Sequence, residues 1–210
     1  MESIPTVQTP TTWLFWLLAF GTLTLGVLRI TYPQQFRSVI RSPFRSPTLG
    51  RVEIKFDVFN TLLEVWAIIA IALSLLLIRE KTLVFSDWAV LARYALIIGI
   101  FLALQGTIYQ LAGYVFLDQT AYSSAWQEKA QFLRWSAFLM TPFIWWLSYA
   151  GEPRQIVAWV GAGTLIVLYL WSLGRLILAL FRESHLRAYH NLLYLCGLEI
   201  GPIILFLLLV

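Results

Sequence analysis

Long apolar runs alternate with short polar stretches along this chain, the runs covering residues 13–31, 56–78, 88–117, 135–150, 156–180 and 191–210. A helix that crosses a bilayer needs about 20 mostly apolar residues, and each run meets or approaches that length. The pattern therefore predicts an all-α, polytopic membrane helical bundle with about six transmembrane helices. The third run is long enough to tilt or to project from the bilayer. The fourth is short, but the helix-compatible residues 121–134 before it would extend it on one side.

The polar stretches between the runs give the bundle a direction. Arg29, Arg37, Arg41, Arg45, Arg51 and Lys55 flank or occupy the first connection, Lys129 and Arg134 the third, and Arg175, Arg182 and Arg187 the fifth. The second and fourth hold Arg79, Lys81 and Arg154, with Arg93 just inside the helix that follows. Because basic residues are retained on the cytoplasmic side, the odd-numbered connections are expected inside and both termini outside. Tryptophan rings prefer the interfaces, and Trp13, Trp16, Trp88, Trp145, Trp146 and Trp159 all fall at run ends that the charge asymmetry places on the outer side. Residues 1–12 then form a short outer tail, and residues 13–210 a single membrane domain. No Lys or Arg precedes the first run, so it is expected to be a retained helix and not a cleaved signal peptide.

Within the first connection, residues 33–55, Phe36, Ile40 and Phe44 recur every four positions, and Arg37, Arg41 and Arg45 follow the same spacing one position later. On a helix these make adjacent apolar and basic stripes, as in a segment lying in the headgroup plane. Pro43 and Pro47 would end regular helix after about Ser42. This amphipathic cytoplasmic arm, with Arg37, Arg41, Arg45 and Arg51, reads either as a surface for anionic lipid or a membrane protein partner, or as an ordinary basic inner loop.

Composition supports lipid as the main solvent: 60% of the 210 residues are hydrophobic and 12% charged, against roughly 25% charged in a soluble domain. The net charge of +4 is carried largely in the connections, where it sets topology, so no nucleic-acid partner is expected. The lone Cys196 rules out an intramolecular disulfide and a cysteine-based metal site.

Polar residues inside the runs are the candidate chemistry, because ionisable groups in hydrocarbon are costly to keep. Asp57, Asn60 and Glu64 share one helix face. Counting about 1.5 Å per residue from the inner ends puts Glu64, Arg175 and Glu199 at nearly one depth, with Gln110 and Thr141 within about a turn. The expectation is an intramembrane polar cluster of Glu64, Gln110, Arg175 and Glu199. Trp171 would offer Arg175 a cation–π face, and because one cation cannot fully neutralise two acids, either one carboxyl is expected to be protonated with a raised pKa or a further donor such as Gln110 or Tyr109 supports it. Such a cluster serves either as an ion pair that fixes helix packing or as a proton- or substrate-handling site. Ala92, Gly99, Gly106 and Gly113 repeat every seven residues and predict a small-residue face for close helix contact, and Gly197 and Gly201 bracket Glu199.

The sequence contains no phosphate-binding glycine loop, HExxH, CxxC or Gly-x-Ser-x-Gly motif, and His185 and His190 lie near the inner interface. No catalytic residue, metal ligand or cofactor is expected. Near the C-terminus, Tyr194, Leu195, Cys196, Leu198, Glu199 and Pro202 precede an apolar tail. This pattern resembles the closing signature of the bacterial integral membrane proteins grouped as domain-of-unknown-function family 4271, typical of Bacteroidota. The basic arm, residues 114–118 and the Arg175-containing helix look similar too. The resemblance implies a multi-pass protein of the bacterial inner membrane and brings no activity with it. The leading expectation is a non-catalytic scaffold or assembly component of an envelope complex, working with lipid, a membrane protein partner or a second copy. The alternative is a small transporter or proton-coupled carrier using the Glu/Arg/Glu cluster; a lipid-acting intramembrane enzyme ranks third.

Overall fold

The computed structural model describes residues 12–41, 57–79, 87–115, 119–149 and 154–183. These form six helices: α1 (Thr12–Thr31), α2 (Pro33–Arg41), α3 (Val58–Arg79), α4 (Asp87–Val115), α5 (Gln119–Tyr149) and α6 (Arg154–Glu183). Five of them are long and α2 is short. The expected run at 191–210, with Glu199 and Cys196, lies outside the described residues, as do His185, His190, Phe44, Arg45 and Arg51. Among the described residues, three helices are long and apolar enough to cross a membrane, over Thr12–Thr31, Val58–Leu77 and Trp88–Val115.

Helix limits follow local chemistry. α1 breaks at Pro33, which has no N–H to continue the ladder but fits the first turn of the next helix. Tyr32 N–H still donates to the Leu28 carbonyl and Phe36 N–H to that of Tyr32, so α2 continues from α1 with a change of direction. α3 begins at a cap: Asp57 Oδ1 accepts from Phe59 N–H at 3.2 Å, its Oδ2 accepts from Asn60 Nδ2, and its backbone carbonyl accepts from Thr61 N–H. The expected face of Asp57, Asn60 and Glu64 therefore divides its labour. The first two build the helix start, and Glu64 points to a neighbouring helix. α5 joins the polar residues 121–134 and the apolar residues 135–149 into one continuous helix, with Pro142 inside it.

α5 is the least apolar of the long helices and the hub of the bundle, packing against α1, α2, α3, α4 and α6. The largest cluster brings together Leu14 from the start of α1, Leu76 from the end of α3, Leu91 from the start of α4 and Leu147 from the end of α5, so successive long helices run antiparallel. At the opposite end of the bundle, Leu28, Val39, Phe59 and Leu63 join α1, α2 and α3. Aromatic rings seat on glycines where the helices approach closely. Trp66 of α3 lies over Gly21 of α1, Trp126 of α5 over Gly106 of α4, and Phe143 of α5 over Gly161 of α6.

The small-residue face expected on α4 is used only in part. Gly106 meets Trp126 and Gly113 is buried, whereas a side chain at Gly99 would meet nothing within 4 Å and Ala92 is exposed. The reason is geometric. A seven-residue repeat drifts by about 20° per step around a straight helix, so the row leaves the interface toward the start of α4. α2 also differs in detail. Phe36 and Val39 face the bundle, Phe36 edge-on to Phe138 at 4.8 Å, and Ile40 is exposed. The contact stripe runs three residues apart, not four, because α2 packs onto α1, α3 and α5 instead of lying alone on a surface.

Candidate functional site

Two indole–threonine hydrogen bonds and two ion pairs are among the side-chain ties between α5 and its neighbours. Trp145 Nε1 donates to Thr22 Oγ1 of α1 at 3.1 Å, and Trp66 Nε1 of α3 donates to Thr141 Oγ1 at 2.9 Å. Thr141 in turn donates to the Ala137 carbonyl one turn earlier, which orients its oxygen to accept from the indole. The other two ties are ion pairs. Arg134 Nη2 and Nε both reach Glu64 Oε1 of α3, at 2.7 and 2.8 Å. Arg175 Nη2 of α6 reaches Glu128 Oε2 at 3.0 Å. The second pair is the drier one, with side chains 10 and 11% exposed against 18 and 34% for the first.

The structure thus rearranges the expected cluster. Glu64 and Arg175 are both ion-paired inside the bundle, but to Arg134 and Glu128 of α5 and not to each other. The cation–π face for Arg175 is Phe132, whose ring centroid lies 5.6 Å from Cζ, whereas Trp171 is exposed. Gln110 is exposed on α4. At 100° per residue it falls on the flank of the inward stripe formed by Gln105 and Tyr109, which are both buried. Tyr109 instead carries Lys129 Nζ over its ring at 5.9 Å. Arg37 and Arg41 are exposed on α2.

Sequence reasoning passed over Glu128, Arg134 and Gln105 as members of the site. One signal was present: one arginine cannot fully neutralise two buried carboxylates, and Arg134 immediately precedes the short fourth run. Gln105 carried no comparable mark.

Beside these ties, α3, α4, α5 and α6 enclose a partly open cavity of about 330 Å³. Its wall is mainly carbon, from residues such as Ile71, Leu75, Leu102, Phe132 and Leu168, with Gln105, Lys129, Ser136, Tyr169 and Ser172 bringing polar groups. Ser136 Oγ donates to the Leu133 carbonyl at 2.6 Å. Gln105 is 2% exposed, and its Oε1 has no hydrogen-bond partner among the described residues. Phe132 links the two features, since it lines the cavity and its ring carries the guanidinium of Arg175. Chemically, the arrangement offers two fixed ion pairs and an apolar chamber with one unanswered acceptor.

Comparisons with curated proteins and with solved structures return no match. A family model does match, over residues 14–210, which takes in every described helix except the first two residues of α1. The chain belongs to the family described as domain of unknown function DUF4271.

Proposed function

We propose that this protein is a non-catalytic, multi-pass scaffold or assembly component of the bacterial inner membrane, crossing it about six times with both termini outside. The observation that carries the reading is the pairing of charges across helices of the bundle, Glu64 with Arg134 and Glu128 with Arg175. A carrier that couples to protons needs a carboxylate that titrates during its cycle, whereas a fixed carboxylate–guanidinium pair holds two helices in register. Broad apolar outer faces support the same reading. Trp16, Phe20, Leu23, Val27 and Ile30 run along the exposed side of α1, available to lipid, to a membrane protein partner or to a second copy. Arg37 and Arg41, followed in sequence by Arg45 and Arg51, would hold the inner surface to anionic headgroups.

The test exchanges the two charges of one pair. A purely structural tie survives the double variant Glu64→Arg with Arg134→Glu, so that chain should accumulate in the membrane and co-isolate from native membranes with the same partner, in the same ratio, as the unaltered chain. Either single substitution should lower accumulation. Proton-coupled uptake by liposomes containing the purified protein, abolished by a well-folded Glu64→Gln variant, would overturn the scaffold reading in favour of the carrier.

A further inference from the structure

The cavity between α3, α4, α5 and α6 lies at a depth that only the bilayer can supply. Gln105 stands about 26 Å along α4 from Trp88 and about 15 Å from Val115, well inside the Trp88–Val115 span. Ile71 and Leu75 of the opposite wall belong to the Val58–Leu77 span. The volume of about 330 Å³ falls at the lower end of the range for small-molecule sites, roughly 300–1,000 Å³.

Two properties of the chamber define its occupant. The carbon wall accepts hydrocarbon and gives water few partners, since a buried water needs about two to four polar neighbours. Against that wall stands the side chain of Gln105, 2% exposed and with Oε1 lacking a donor. A buried amide oxygen left unbonded destabilises the fold, and a bound donor removes that penalty. A hydroxyl suits a glutamine from either end, because it both donates to the carbonyl and accepts from the amide N–H. Ser136, whose own proton goes to Leu133, retains an acceptor on the same wall.

We propose that this cavity is a binding site for a membrane lipid chain bearing a hydroxyl group, with the hydroxyl on Gln105 and the hydrocarbon against Ile71, Leu75, Phe132 and Leu168. The site is independent of the scaffold reading, since a scaffold and a carrier can equally hold a lipid.

The experiment uses the full chain in lipid nanodiscs and a photoreactive diazirine analogue of oleyl alcohol, with the modified residues identified by mass spectrometry. Labelling is expected in the stretches around Phe101 and Phe132. Unlabelled oleyl alcohol should suppress that labelling at about tenfold lower concentration than oleyl methyl ether, which has the same chain and no donor. Gln105→Leu should erase the difference while both compounds still compete, and the comparison in the unaltered chain decides the matter even where that variant fails to fold. Equal competition by alcohol and ether, or labelling confined to the outer faces of α1 and α4, overturns the proposal.

Discussion

Trp66 shows how much a single residue can organise in this bundle. Its ring fills the space over Gly21, its Nε1 binds Thr141, and its edge packs with Ala67 and Ala137, so α1, α3 and α5 meet around one indole. A methyl group at position 21 would overlap the ring and push it from its hydrogen bond. Gly21→Ala is therefore expected to destabilise the protein by about 1–3 kcal/mol, read from unfolding in detergent. Gly99→Ala, where a side chain meets open space, should be neutral or stabilising by up to about 1 kcal/mol through the better helix propensity of alanine. If both changes cost the same, the socket is not what holds α1 in place.

The two ion pairs should differ in the same assay. Arg175→Gln or Glu128→Gln breaks the drier pair and is expected to cost about 3–5 kcal/mol where it strands a charge. Arg134→Gln acts on a pair whose carboxylate is a third exposed, and about 1 kcal/mol is expected. A reversed ranking would mean that burial does not set their weight. At the start of α3, Asp57→Ala removes the side-chain acceptor of the cap and should cost about 1 kcal/mol.

Among the elements, α2 separates packing from surface charge most clearly. Val39 is buried among Leu28, Phe59 and Leu63, so Val39→Ala should cost about 1–2 kcal/mol in any lipid. Arg37→Gln and Arg41→Gln touch only the exposed face and should leave stability in neutral lipid within about 0.5 kcal/mol. In bilayers rich in anionic lipid, each should weaken the hold of α2 on the surface by about 1 kcal/mol, visible as faster amide exchange over Pro33–Arg41. Equal exchange in neutral and anionic bilayers would remove the headgroup role.

The elements were largely legible in the sequence and their pairing was not. Apolar run length locates α1, α3, α4 and α6 to within a few residues. The place of Glu64 about two turns into α3 was also legible, because the second apolar run starts close to where α3 does. Its partner was not, because counting from the run ends matched Glu64 to Arg175 and left Arg134 in the connection before the fourth run, whereas α5 is helical straight through that boundary. Glu128 escaped notice for a related reason. Its surroundings, Gln127 to Lys129, read as an inner extension, and only the continuity of α5 and its central position carry that carboxylate to Arg175.

At the scale of the whole molecule, α5 is a polar post around which more apolar helices are gathered. That arrangement suits the bilayer, where lipid offers helices no hydrophobic reason to associate and interhelical hydrogen bonds and close packing supply the specificity. The sidedness of the assembly is directly testable. In a chain carrying Cys196→Ser, a cysteine introduced as Thr12→Cys should react with an impermeant maleimide from outside intact cells. One introduced as Gln34→Cys should react only after the inner face is opened. Both positions are exposed, so failure to label does not come from burial. The opposite pattern would invert the bundle.

The central place of α5 has a consequence in time. Glu64 and Arg134 are 70 residues apart in the chain, and at about 5–20 residues per second the ribosome needs roughly 4–14 s to deliver the arginine after the glutamate. During that interval α3 is already made, with a carboxylate on it whose counter-charge does not yet exist. The pairing that joins α3 to α5 forms only when α5 arrives and closes the bundle. A chain interrupted before Arg134 would present that orphan acid inside the membrane, a signal by which quality control could recognise unfinished copies.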